Sequence, residues 1–299
     1  MAKIIAGIPA FDEEKTIGSM VLAARRYVDE VVVVDDGSND RTAWIAEQAG
    51  AYVVRHDVNR GYGAAVRSCF RHARNNGTEL LVILDGDGQH HPDAIPQVIE
   101  PILQGRADVS IGSRFLRPTS VAKVPRYRRF GIKVLTKLTN LGSRNNRHVV
   151  DGQSGFRAYS RRAVDTIDPL EENMGASAEI LWEADKWGLK VVEVPIEVDY
   201  NVGGSTQGPI RHALGVIGSM VRYVETEHPL LTMGLPGALF IIFGMALGLD
   251  VVERYYASPT HSLAVGLAML TILFMIVGSM LGLGGIILHA VMNANKRKR

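Results

Sequence analysis

Residues 80–93 read LLVILDGDGQHHPD, five apolar residues running straight into Asp85, Gly86, Asp87 and Gly88. A continuous apolar run with β-branched members, closed by Asp and Gly, describes a central parallel strand buried on both faces. The C-terminal end of such a strand is where open α/β sheets bind ligands. Asp85 and Asp87 stand two apart, so a continuing strand puts both carboxylates on one face, and a turn lets both reach one hard cation. Gly86 and Gly88 let the backbone bend and a ligand come close. Like charges this near repel, which favours a divalent cation such as Mg²⁺ or Mn²⁺ between them. An isolated D-x-D reads more simply as a solvated turn; the buried strand in front of this one favours the metal.

The pattern on either side supports that placement. From residue 3 to 113, strand candidates KIIAGIPA, EVVVVDD, AYVVRH, LLVILDGD and ADVSIGS alternate with helical patterns at 15–27, 40–50, 63–75 and 93–104. This predicts an α/β domain with a doubly wound, mostly parallel sheet. Polar residues gather at strand ends 9–14, 35–40 and 85–89, so three loops are expected at one sheet edge. No G-x-G-x-x-G follows the first strand and no P-loop occurs, which excludes the usual dinucleotide and NTPase signatures. NRGYGAAVR opens a helix; its amides either face a phosphate or form a tight turn.

The chain has 299 residues, a net charge of +2 and one cysteine, Cys69, which excludes an internal disulfide and fits a packing role in a reducing compartment. No signal-peptide pattern precedes the first strand, and no nucleic-acid partner is expected. Two stretches, 229–252 and 262–292, are apolar and long enough to cross a bilayer, which takes about 20 residues. The terminal KRKR predicts a cytoplasmic end by the positive-inside rule, so two spans leave the catalytic domain and both termini in the cytoplasm. Residues 121–141 form a basic amphipathic helix. Phe130, Val134, Leu138 and Leu141 make one stripe and Arg126, Arg129, Lys133 and Lys137 another, a pattern for the bilayer interface or for packing on the sheet. The expected organisation is a catalytic domain at 1–206, a juxtamembrane amphipathic helix at 207–228, the spans within 229–292 and a basic tail at 293–299. Gly244 and Gly248, with Gly278 and Gly282, form two G-x-x-x-G patterns that predict close helix packing, either in a homo-oligomer or between the two spans of one chain.

In order along the chain, IPAFDEEKTI, VVVVDDGSNDRT, NRGYGAAVR, DGDGQHHPD, IGSRF, RYRRF and DGQSGFRAYSR resemble the inverting, GT-A-fold members of glycosyltransferase family 2 that charge a polyprenyl phosphate with a sugar. Dolichyl-phosphate mannose synthases and dolichyl- or undecaprenyl-phosphate glucosyltransferases belong there. The resemblance implies a metal-dependent transfer from a nucleotide sugar to the phosphate of a membrane polyprenol or dolichol, feeding glycosylation. UDP-glucose or UDP-N-acetylglucosamine leads as donor, with GDP-mannose as the alternative. It assigns Pro9, Ala10, Phe11, Glu13, Asp36, Gly61, Asp85, Gly86 and Asp87 to the nucleotide-sugar pocket, and Asp85, Asp87 and Gln89 to Mg²⁺ or Mn²⁺. Arg114, Arg128, Arg129 and Ser154 fall to the acceptor phosphate, and Asp85, Asp87, Arg114 and Asp151 to the catalytic set. One position departs from the pattern. Where many members carry R-x-x-G-x-S, this chain reads YNVGGS, with Tyr200 in place of the arginine.

The chemistry is consistent with that set. A phosphate monoester is already anionic, so the site needs no strong base; it must neutralise a diphosphate leaving group and bring two polyanions together. Two other readings were weighed: a polysaccharide-synthase-like enzyme, which usually carries Q-x-x-R-W and more spans, and a membrane-anchored, non-catalytic nucleotide-sugar-binding subunit.

Overall fold

The computed structural model describes residues 3–117, 126–141, 149–172, 175–199, 230–257 and 264–296. The chain divides into two compact units, Met1–Met220 and Val221–Arg299.

The first unit is built on a seven-stranded sheet. Strands β1 (Ile4–Ala10), β2 (Glu30–Asp35), β3 (Tyr52–Arg55) and β4 (Leu80–Ile83) are followed by β5 (Val109–Ser113), β6 (Arg157–Ser160) and β7 (Val191–Pro195), in spatial order β3-β2-β1-β4-β6-β5-β7. All neighbours pair in parallel except β6, which is antiparallel to both β4 and β5. The apolar run at 80–83 is thus the fully buried centre of the sheet. Helices α1 (Ile17–Ala24), α2 (Thr42–Gln48), α3 (Tyr62–Asn75) and α4 (Ile95–Leu103) fall inside the helical patterns read from the sequence to within one residue. Alternate residues of each strand serve opposite layers. Ala6, Ile8, Val31, Val33, Leu80 and Val82 face α1, α2 and α4. Ile5, Val32, Val34, Leu81 and Ile83 face α3, α6 (Arg161–Thr166) and α7 (Ala176–Lys186). Cys69 lies in the second layer, fully buried, and burial pushes its thiol up to about 12, as suits a packing residue.

Strand β6 and helices α6 and α7 were not read from the sequence. β6 is four residues, RAYS, too short to show a period, and it begins with an arginine that is only 2 % exposed. Helix α5 (Arg126–Leu141) occupies the described part of the basic amphipathic pattern. Its described residues make hydrogen bonds to the domain: Gly152 N donates to Thr136 Oγ1 (3.2 Å), Trp182 Nε1 to Thr139 O (2.8 Å), and Asn140 exchanges two hydrogen bonds with the backbone of Val149. It therefore packs on α7 and the 149–152 loop, while Lys133 and Lys137 stay exposed.

The second unit holds α8 (Leu235–Ala257), entered by a π-helical turn at Leu230–Gly234, and α9 (Val265–Lys296). Segments Thr232–Ala257 and Val265–Val291 have mean hydropathies of 2.1 and 2.3 and are long and apolar enough to cross a membrane. The small residues are used between these two helices. A Cβ at Gly237 would stand 2.7 Å from Gly282 N, one at Gly278 2.7 Å from Gly237 O, and one at Gly244 3.2 Å from Met275. Of the two packings expected for the G-x-x-x-G patterns, the one within a chain is the one these contacts make. The Tyr200 position, the 207–228 segment, the loop at 258–263, residues 297–299 and the side chain of Arg128 lie outside the described residues.

Candidate active site

Three strand-end loops meet at one edge of the sheet, and their own side chains join them. Asp12 N donates to Ser38 Oγ and Asn39 N to Asp12 Oδ1 (both 2.9 Å); Glu13 N donates to Thr42 Oγ1 (2.8 Å) and Glu14 N to Asp40 Oδ2 (3.1 Å). These bonds fasten the loop after β1, which carries Phe11 and Glu13, to the loop after β2. Thr16 Oγ1 then donates to Gly86 O (2.7 Å), fastening the first loop to the third. Pro9 and Ala10 are buried at the end of β1, with Phe11 and Glu13 half-buried just beyond.

Asp36 is 3 % exposed and its oxygens are taken. Oδ1 pairs with His56 Nδ1 (2.6 Å) and accepts from Arg60 N (3.0 Å), while Oδ2 accepts from Gly61 N (2.7 Å). On its far side, His56 Nε2 meets Ser68 Oγ at 2.9 Å. The order Ser–His–Asp matches a nucleophilic triad, but the serine and histidine are 7 % and 9 % exposed and the aspartate is spent on two amides. The network is a brace. It holds the NRGYG turn, where Gly61 takes a φ of 97° that an L side chain rarely adopts. Gly63 N and Ala64 N both donate to Glu172 O. The glycine loop is therefore the tight turn of the two alternatives: its amides are bonded within the protein.

Asp85 and Asp87 lie where the sequence placed them, directly beyond β4. They differ in environment. Asp87 Oδ1 accepts from Gln89 N (2.9 Å) in a half-buried turn, and Gln89 O accepts from Asp199 N (3.0 Å). Asp85 sits deeper. His90 Nδ1 stands 3.6 Å from its Oδ2, and a Cβ on Gly155 would fall 2.4–2.7 Å from its carboxyl atoms. Burial pushes its pKa above the ordinary carboxylate range, opposed by the nearby Tyr62 hydroxyl and by the charges of Arg114 and Arg157. Burial also drives the neighbouring His90 down to about 4, a neutral ring at working pH. Glu13 is pushed up to about 7 by burial and by the charge of Asp87.

Asp85 Oδ1 is buried and accepts no hydrogen bond. A carboxylate oxygen left so is costly unless a cation or donor meets it. Among the described residues no three His, Cys, Asp or Glu side chains gather into a complete metal cage. Mg²⁺ and ions like it are commonly held by one or two carboxylates together with substrate phosphates. An Asp pair at a strand end, with one oxygen unmet and 30 % of the Asp85 side chain exposed, fits that arrangement.

Arg114 and Asp151 form a single unit. Arg114 donates through Nε (2.7 Å) and Nη2 (2.6 Å) to the two oxygens of Asp151, whose Oδ2 also accepts from Arg114 N (3.0 Å). Asp151 is fully buried, and Glu193 takes the Val150 and Asp151 amides behind it. Ser154 is fully buried too; its hydroxyl accepts from Phe156 N and its carbonyl from Arg157 Nε. Asp151 and Ser154 are thus built into the wall of the 149–157 loop. Arg129 is half-buried on α5. Sequence reasoning passed over Tyr62, His56, Gly155 and Arg157. Tyr62 and Gly155 were inside quoted motifs, NRGYG and DGQSGFR, but nothing in their spacing says what they touch. Arg157, buried, gives its guanidinium to three carbonyls, of Ser154, Ser177 and Gly152, and so places a positive charge behind Asp85 without neutralising it.

Fold and site together define a GT-A glycosyltransferase domain, and residues 6–168 match the model of Glycosyl transferase family 2. The chain belongs to that family. It is 31% identical over 224 residues to the UDP-N-acetylglucosamine–dolichyl-phosphate N-acetylglucosaminyltransferase of Methanococcus voltae, covering 67% of this chain and 87% of that one. It is likewise 31% identical over 223 residues to the polyprenol monophosphomannose synthase of Mycolicibacterium smegmatis, covering 69% and 82%. In fold it is similar to glucosyl-3-phosphoglycerate synthase from Mycobacterium tuberculosis, solved with Mn²⁺, UDP and phosphoglyceric acid, at a TM-score of 0.58, 23% identity, and 74% and 78% coverage.

Proposed function

We propose that this chain transfers a sugar, with inversion, from a nucleotide sugar to the phosphate of a polyprenyl or dolichyl phosphate in the membrane, using Mg²⁺ or Mn²⁺. The observation that carries the reading is the Asp85–Asp87 pair at the centre of the sheet edge, with Asp85 Oδ1 buried and unmet. The acceptor class is supported by relatives whose names specify dolichyl or polyprenol phosphates, and by two helices apolar enough to anchor the chain where such a lipid lies. A divalent metal is supported by the fold neighbour solved with Mn²⁺ and UDP.

Asp85 and Asp87 would hold the ion, with Gln89 beside them. When bound, it would offset the charge that collects on the departing nucleoside diphosphate. The loop of Pro9, Ala10, Phe11 and Glu13 would wall the nucleotide, and Asp36 would act through the Gly61 turn it braces. The acceptor phosphate carries its own nucleophilic oxygen, so no side chain has to remove a proton. Arg114, with Arg128 and Arg129 of α5, would draw the lipid phosphate toward the sugar. A phosphate that attacks from the face opposite the diphosphate inverts the anomeric centre in one displacement. The spans would place the catalytic unit on the cytoplasmic side, where nucleotide sugars are made. UDP-linked glucose or N-acetylglucosamine remains the leading donor. The test is a panel of labelled UDP- and GDP-sugars offered with dolichyl phosphate, scored by label in the lipid phase and by product anomer. Label in water-soluble sugar alone would point to a hydrolytic or binding-only protein.

A further inference from the structure

We propose that Glu193 is a positioning residue for Arg114: it grips the backbone at Val150 and Asp151, and Asp151 in turn sets where the arginine's charge stands. The proposal rests on the reading above that Arg114 meets the acceptor phosphate, and extends it to a residue one step behind the pair.

Strand β7 is the edge of the sheet and runs parallel to β5, with Glu193 opposite Ile111. Arg114 directly follows Ser113, the last residue of β5, so one strand pair carries both ends of the contact chain. Glu193 is half-buried and gives its two oxygens to successive amides: Oε2 accepts from Val150 N (2.7 Å) and Oε1 from Asp151 N (2.8 Å). A carboxylate bound to two adjacent amides fixes that stretch of backbone in both place and direction, and its charge strengthens each bond. The fully buried Asp151 then accepts from Arg114 Nη2 at Oδ1 (2.6 Å) and from Nε at Oδ2 (2.7 Å). Two parallel bonds orient the guanidinium plane as well as locate it. The Arg114 side chain keeps 13 % of its surface exposed, so a ligand can still reach it.

The flanks of the same loop are held from another side. Asn140 of α5 exchanges two hydrogen bonds with Val149, and Thr136 accepts from Gly152 N. Glu193 takes the two amides between them. A change at 193 therefore retunes the middle of a loop that stays fastened at both ends. In Glu193→Gln an NH₂ group replaces one oxygen and faces an amide donor to donor, so the backbone must turn and carry Asp151 with it.

The test uses the full-length protein in detergent. Calorimetry gives the affinity for farnesyl phosphate, a short lipid phosphate, in the presence of UDP and Mn²⁺, and the affinity for UDP with Mn²⁺ alone. Wild type, Glu193→Gln, Arg114→Lys and the double variant are compared, each with its melting temperature. Glu193→Asp, one methylene too short to reach both amides, takes the place of Glu193→Gln if that variant does not fold. A misdirected charge-assisted contact predicts that Glu193→Gln weakens farnesyl phosphate by roughly ten- to a hundredfold, with UDP within about twofold of wild type. The same change on Arg114→Lys should add nothing further, because the fork it positions is gone. Farnesyl phosphate affinity unchanged in Glu193→Gln, even with a lowered melting temperature, overturns the proposal and leaves Glu193 a role in the fold alone. So does an equal loss on the Arg114→Lys background. If wild type does not bind farnesyl phosphate, or Arg114→Lys binds it as wild type does, the reading of Arg114 itself fails and takes the proposal with it.

Discussion

Gly155→Ala should disable the enzyme while leaving it folded. The added methyl carbon would lie 2.4 Å and 2.5 Å from the two carboxylate oxygens of Asp85 and 2.7 Å from its Cγ. Ordinary contact needs about 3.5 Å, so the carboxylate must retreat by about 1 Å. An Asp head group can turn, so the cost in stability should sit at the low end of the ~1–3 kcal/mol typical of overpacking. The cost in rate is larger. Turning shifts both carboxylate oxygens of Asp85 from the position the room at Gly155 allows, and a 1 Å misplacement of a reacting group costs on the order of a hundredfold. That is about 2.7 kcal/mol of barrier. The assay is the initial rate of lipid-linked sugar formation across a Mn²⁺ titration, beside a thermal melt. A variant within about threefold of wild type at every Mn²⁺ concentration would refute the claim that the Asp85 position is set by the room Gly155 leaves.

Asp87→Asn should retain less than about a tenth of wild-type transfer, a loss above ~1.4 kcal/mol, even in saturating Mg²⁺ or Mn²⁺; greater retention removes Asp87 from the metal site. Arg114→Ala strands the fully buried Asp151 carboxylate and should cost about 3–5 kcal/mol in chemical denaturation, whereas a loss under about 1 kcal/mol would show the pair to be loosely held. Glu13 predicts a pH dependence of stability. Its folded pKa is raised to about 7 from 4.5, so its contribution is full below pH 4.5 and lost as pH rises through 7. In chelator, the melting temperature should fall between pH 5.5 and 8, and Glu13→Gln should flatten that fall; identical profiles for the two would contradict the shift. Cys69 should resist thiol reagents in the native state, since burial holds it protonated, and rapid labelling without denaturant would contradict its place in the core.

The parallel half of the sheet was legible because each strand and helix there is long enough to display its period, and because LLVIL can only be a strand buried on both faces. Strand β6 was not. An arginine is a poor sign of a sheet interior, and Arg157 is accommodated because the carbonyls of Gly152, Ser154 and Ser177 converge on it. In the site, Asp85 and Asp87 were readable from type and placement. What each carboxylate touches was not, since Asp36 and Asp151 look in sequence like ligand-facing acids and turn out to hold a turn and an arginine. Short motifs give the residues of a site; partners across the fold decide which of them reach the ligand.

The central claim is transfer to a lipid phosphate under the control of the Asp85–Asp87 pair. The most direct measurement places the full-length protein in membranes with dolichyl phosphate, Mn²⁺ and labelled UDP-glucose, UDP-N-acetylglucosamine or GDP-mannose in turn. Label in the organic phase is then counted for wild type, for Asp87→Asn and with chelator present. The account predicts acid-labile, lipid-extractable label from one donor, abolished by chelator and by the substitution. Organic-phase label that survives both treatments, or none from any donor while the protein still binds UDP and Mn²⁺, would contradict it.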